Sequence, residues 1–253
     1  MTDKPLKPIG LLASLLYFGI PSVFFSAVLL GVLPWMVREG HRPFLVFNAT
    51  FGGVLAVMLA AAFIAYRAEG HPWTWAAFRD RMRLTRPTKS VWAWTIGLIL
   101  GTWALQYLFG FVTGFFEGVK FFTAPTEFAQ FMAQMQDGSF GMDLTGRWDL
   151  VALVAVTMFV FNILGEELWW RGIILPRQEV AFGKHAWIVN GVLWDLFHFF
   201  YHTTLASVIG YLPATVPLAF VAQRTRNTWP GIIAHFVGNS FLIIAMARLA
   251  LGK

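Results

Sequence analysis

No cysteine occurs in the 253 residues, which excludes disulfides, thiolate nucleophiles and Cys-based metal sites. Charge is scarce as well: Asp, Glu, Lys and Arg make up 13% of the chain, and 57% is hydrophobic. A water-soluble domain carries about 25% charged residues, so this composition excludes one and points to an integral membrane protein. Internal repeats and low-complexity tracts are absent, and no composition shift marks a soluble second domain, so 1–253 reads as a single membrane domain. The net charge of +6 raises the question of nucleic acid. Its basic residues sit in short loops between apolar runs, where membrane topology accounts for them and no nucleic-acid partner is expected.

What is present is a series of apolar runs of about 20 residues, the length that crosses a bilayer as a helix. They cover 9–37, 43–66, 91–116, 150–170, 186–202, 205–221 and 231–251. The expected fold class is all-α, a polytopic transmembrane bundle of about seven to eight membrane helices. Nothing breaks the fourth run before Pro176, and 205–217 has room for an eighth short or re-entrant piece. The first run follows Lys4 and Lys7 as a secretory signal would. It exceeds an h-region of about 7 to 15 residues and lacks a small-x-small cleavage site, so it reads as an uncleaved span. The 26 Phe and 12 Trp suit lipid-facing surfaces and interfacial belts.

Lys and Arg in short loops set orientation. The loop 67–89 carries Arg67, Arg79, Arg81, Arg83, Arg86 and Lys89, which marks it as cytoplasmic. Lys4 and Lys7, then Arg171, Arg177 and Lys184, then Arg224 and Arg226 fall on the same side, so the N-terminus is expected in the cytoplasm. The loop 117–149 has three Asp and two Glu against one Lys and one Arg, and falls on the other side. Within it, Phe128, Phe131, Met132 and Met135 follow Thr126 at helical spacing, which predicts an amphipathic helix in the interface, as a lid or a gate.

Three runs contain paired polar groups. The first is Gly165-Glu166-Glu167-Leu168-Trp169-Trp170-Arg171-Gly172. Ionisable groups at membrane depth cost about 2.5 to 3.5 kcal/mol each on insertion scales and mark functional sites with named partners. Residues four apart share a helix face, so Glu167 pairs with Arg171 while Glu166 points about 100° away. One carboxylate is thereby neutralised, and Glu166 is left to accept and return a proton. Asn162, one turn earlier, is placed to hydrogen-bond to it. The second run puts Asn190, Trp194, His198 and His202 on one stripe with Asp195 alongside; His202, near the end, reads as structural. His198 lies deeper, where an imidazole and the Glu166 carboxylate would share a proton if they met. The third begins Trp229-Pro230-Gly231 and sets His235 and Asn239 on one face, a donor pair suited to an oxyanion. Hydrogen bonding between helices is the plainer role for each pair taken alone.

These residues, in this order, resemble the motifs of the CPBP intramembrane proteases, the group containing CAAX prenyl endopeptidases and bacterial bacteriocin-processing or immunity proteins. EExxxRG is Glu166 to Gly172, the second motif ends at His198, and HxxxN is His235 to Asn239, within a motif-bearing core at about 150–251. The second motif departs from the usual FxxxH, because Trp194 stands where Phe is expected. The resemblance implies that Glu166 and His198 activate a water, that His235 and Asn239 hold the oxyanion, and that Glu167 and Arg171 support them. It also implies a membrane-associated protein or peptide substrate, met within the lipid bilayer of a bacterial inner membrane. A zinc ion held by Glu166, His198 and His235 has suitable ligand types, although no Glu follows His198 as a zincin base would. A metal-free glutamate mechanism is favoured. The alternatives are a non-catalytic scaffold or immunity protein of the same fold, or a transporter, which would normally show repeat symmetry.

Overall fold

A computed structural model describes residues 5–136 and 138–252; Lys4 and Asp137, counted above among the loop charges, lie outside them. The chain winds into α1 (Leu11–Arg38), α2 (Pro43–Ala68), α3 (Trp75–Arg81), α4 (Lys89–Phe116), α5 (Thr126–Gln136), α6 (148–182), α7 (186–200), α8 (Leu205–Thr225) and α9 (Trp229–Ala250). Among the described residues the extended pairing is limited to one bridge between Lys120 and Thr204. The fold is a polytopic helical bundle.

Six helical stretches are long and apolar enough to cross a membrane, and the fourth, Trp148–Phe200, has 53 residues. At 1.5 Å per residue a straight helix of that length would reach ~80 Å, far beyond a bilayer. It doubles back at Gly183, whose φ of 56° a residue with a side chain rarely adopts. The returning α7 lies on α6, where Asn190 Nδ2 donates to Trp170 O at 3.2 Å and to Gln178 Oε1 at 2.9 Å. The fourth run continues past Trp170, as the absence of a breaker before Pro176 allowed, and reaches Phe182. Two details differ from the sequence reading. No separate piece occupies 205–217, because α8 is continuous through Pro213 and Pro217. The α-helical part of α7 stops at Phe197, and His198–Phe200 is wound as a tighter 3₁₀ turn, so His202 drops off the expected stripe.

The outward surface is apolar, as lipid requires. Leu11, Leu12, Ile20 and Val23 of α1 are exposed, and so are Tyr107, Leu108, Phe111 and Phe115 of α4. Only Val91, Thr95 and Leu98, in the first half of α4, are buried. Inside, α6 is the axis. It widens into π-helical turns at Thr157–Leu164 and Leu168–Ile174, on either side of Gly165–Glu167. Such turns carry an extra residue, rotate the side-chain faces, and are frequent at functional sites.

The basic loop is strapped to the bundle rather than loose. Arg81 clasps Glu69 at 2.6 and 2.7 Å, and Arg83 clasps Glu179 on α6 at the same two distances. Thr228 Oγ1, ahead of α9, donates to Met82 O at 2.7 Å. On the other loop, α5 buries Phe128 and Phe131, the latter 4.9 Å from the Phe47 ring of α2. Arg38, at the end of α1, pairs with Glu127 at 3.0 Å and fixes where α5 starts.

Candidate active site

The acidic doublet lies on the narrow segment between the two π-helical turns. Glu166, Glu167 and Arg171 are 2%, 0% and 1% exposed, so each charge needs a partner. Glu167 Oε1 is 3.3 Å from Arg171 Nη1, the pair that the i,i+4 spacing predicts. A second donor shares the same oxygen: His235 Nδ1 is 3.2 Å away. Gly231 permits that approach, since a Cβ there would collide with Glu167 Oε2. The Trp-Pro-Gly start of α9 thus serves the acidic pair on α6.

Glu166 points elsewhere. Its Oε1 accepts from Asn162 Nδ2 at 2.7 Å, and its Oε2 accepts from Trp194 Nε1 at 2.6 Å. Asn239 Nδ2 donates to Asn162 Oδ1 at 2.6 Å. A continuous chain therefore runs from Asn239 on α9 through Asn162 and Glu166 on α6 to Trp194 on α7. The Trp194 ring also lies under the Arg171 guanidinium, 3.7 Å from its centroid. A desolvated cation–π contact of this kind contributes about 2 kcal/mol.

His198 Nδ1 lies 2.8 Å from Trp194 O. A carbonyl oxygen only accepts, so Nδ1 carries the hydrogen and the neutral ring offers the lone pair of Nε2. His235 is fixed in the same way by the Glu167 carboxylate, so its Nε2 donates only when the ring is doubly protonated. Among the described residues no hydrogen bond joins Glu166 to His198, and direct sharing of a proton is not what the geometry offers. Trp194 stands between them, holding one with its N–H and the other with its C=O.

Glu166, His198, His235 and Asn239 nonetheless meet around one cavity of about 220 Å³. A cavity of that size is large enough to hold water. Its walls include Phe47 and Phe51 of α2 and Met135 of α5, which makes the amphipathic helix a cover of the site. Tyr201 and Tyr211 also line it, and neither was singled out from the sequence. The Tyr211 ring lies 4.8 Å from His198, edge to face. His202 Nε2 lies 3.1 Å from Asp195 O and 3.4 Å from Asp195 Oδ1, a tie within the α7 end.

As metal ligands the residues fit poorly. Both carboxylate oxygens of Glu166 already accept N–H donors, and no group of three or more His, Cys, Asp or Glu among the described residues is arranged to hold a metal ion.

Residues 148–241 match the family model described as Rce1-like, type II CAAX prenyl endopeptidase. No curated protein and no solved structure matches. The resemblance to the CPBP proteases therefore holds over the segment that contains the acidic doublet, both cavity histidines and Asn239.

Proposed function

We propose, proceeding from the family match over 148–241, that the protein is an intramembrane endopeptidase. Its substrate is a membrane-embedded or lipid-proximal polypeptide, cut in a bacterial inner membrane with the N-terminus of the enzyme in the cytoplasm. What supports this most is that Glu166, His198, His235 and Asn239, from three helices remote in sequence, line one cavity.

A water lying between the Glu166 carboxylate and His198 Nε2 attacks the carbonyl carbon of the scissile bond. Glu166 takes the proton that the water loses, and Nε2 accepts a hydrogen bond from the other hydrogen and fixes the line of attack. The second Nδ2 hydrogen of Asn239 and an Nε2–H of doubly protonated His235 bind the oxyanion. Protonated Glu166 then gives its proton to the departing amide nitrogen, and the C–N bond breaks. The scheme uses no metal ion.

The test is cleavage of a membrane-peptide library by purified protein, with and without chelator, beside Glu166→Ala and His235→Ala. Cleavage is expected with chelator and is expected to vanish in both variants. Activity in both variants would overturn the site, and loss with chelator reversed by zinc would overturn the metal-free mechanism.

A further inference from the structure

A second cavity of about 200 Å³ adjoins the first and shares Tyr211, His235, Gly238 and Asn239 with it. Its far wall is α4, which contributes Thr102, Trp103 and Gln106. At Gly238, which lines both, an added Cβ would meet nothing within 4 Å, so no side chain of α9 fills the space between His235 and Asn239. No Asp, Glu, Lys or Arg lines the second cavity, and His235, shared with the first, is the one titratable imidazole on its wall, so a cationic occupant would find no counterion there.

Thr102 and Gln106 are one turn apart on α4, Thr102 half-buried and Gln106 exposed. Neither side chain has a hydrogen-bond partner among the described residues. Gln106 lies ten residues, about 15 Å, from the nearer end of α4, at a depth where a polar group costs free energy unless it faces a partner. A substrate supplies one. A peptide bond in a membrane helix must be unwound before water reaches it, and unwinding in lipid orphans backbone N–H and C=O groups. A hydroxyl and an amide at helical spacing beside the catalytic cavity are what such a backbone needs.

On the reading of the active site given above, we propose that the second cavity is the substrate subsite next to the scissile bond. It is entered from the lipid between α4 and α9; Thr102 and Gln106 hold the unwound backbone of an uncharged segment, and Gly238 keeps the passage to Glu166 clear.

The experiment uses the full chain in phosphatidylcholine–phosphatidylglycerol bicelles. The probes are internally quenched, Leu/Ala-rich transmembrane peptides with a randomised centre, each paired with a twin carrying Gly-Pro beside the cleaved bond. Peptides cut by the wild type are carried to Glu166→Gln, Gly238→Phe and the double variant Thr102→Val/Gln106→Leu, with melting temperatures recorded. The double variant is expected to lose about tenfold in kcat/KM on the helical peptides and less than about twofold on the twins, which arrive already unwound. Gly238→Phe is expected to lose about a hundredfold or more on both. Equal losses of the double variant on both peptide forms, or unchanged cleavage in it and in Gly238→Phe, would overturn the subsite and leave the active-site reading intact. Cleavage by Glu166→Gln, or none by the wild type, would overturn that reading and the subsite with it.

Discussion

Trp194→Phe keeps an aromatic ring on α7 and removes one group, the indole N–H that donates to Glu166 Oε2 at 2.6 Å. It also turns the second motif into the FxxxH usual in the CPBP proteases, so a loss of activity would mean that this chain depends on its indole. The carbonyl that receives His198 Nδ1 at 2.8 Å belongs to the backbone and is retained. Two effects contribute. A hydrogen bond to a charged group contributes about 1.5 to 3 kcal/mol, and its loss leaves a buried carboxylate oxygen without a donor. The weaker face of Phe under Arg171, now 3.7 Å from the indole centroid, costs at most about 1 kcal/mol. The hydrogen bond dominates. If half to all of it is expressed in the transition state, kcat/KM falls ~4- to 150-fold, since each 1.4 kcal/mol is about a factor of ten. The assay is cleavage of a fluorogenic membrane peptide in bicelles, with Trp194→Leu alongside to remove the cation–π face as well. A folded Trp194→Phe within about twofold of wild type would refute the idea that the indole N–H positions Glu166.

Gly231→Ala drives a Cβ against Glu167 Oε2 and to 3.1 Å from Leu218 Cδ2; overpacking of this kind costs about 1 to 3 kcal/mol, and an unchanged melting temperature would contradict the close approach. Asn162→Ala and Asn239→Ala break one chain at two points, their side chains meeting at 2.6 Å. Their effects on activity should fall short of additivity by about 1 kcal/mol or more, and strictly additive losses would show that the chain is not one unit. In α5, a backbone hydrogen bond and then Arg38 hold the Glu127 carboxyl below the usual carboxylate range. A depressed folded value means that this contribution is present above the unfolded value of about 4.3 and is lost as pH falls through the folded one. Hydrogen exchange in Thr126–Gln136, corrected for intrinsic rates, should therefore stay level from about pH 8 to 5 and rise only below about 4. In Arg38→Ala exchange should already be faster from about pH 8 to 5 and its rise below about 4 smaller, and an identical profile would exclude the ion pair as the tether.

The helices and the motif-bearing segment were legible because lipid imposes long apolar runs and leaves each buried charge conspicuous. Glu167 with Arg171, and Asn162 with Glu166, followed from four-residue spacing alone. What the spacing hid depends on contacts between helices and on departures from a regular helix. His235 shares Glu167 with Arg171 because Gly231 lets α9 approach α6, and no local pattern records that. Asn190, Trp194, His198 and His202 form a stripe only on an unbroken α-helix, and the turn at His198–Phe200 tightens and disperses it. Trp194 was noted as a departure from a motif; only its position shows that the indole N–H and the backbone C=O hold two different site residues. Tyr211 was invisible for a simpler reason, since a tyrosine in an apolar span carries no charge to mark it.

The proton-accepting role of Glu166 is tested most directly by cleavage in H₂¹⁸O. A substrate peptide is cut by wild type and by Glu166→Gln in bicelles containing chelator, and the products are weighed by mass spectrometry. One ¹⁸O atom in the new C-terminal carboxylate of the wild-type product, with no product from a folded Glu166→Gln, is the predicted result. Labelled product from Glu166→Gln at the wild-type rate would contradict it.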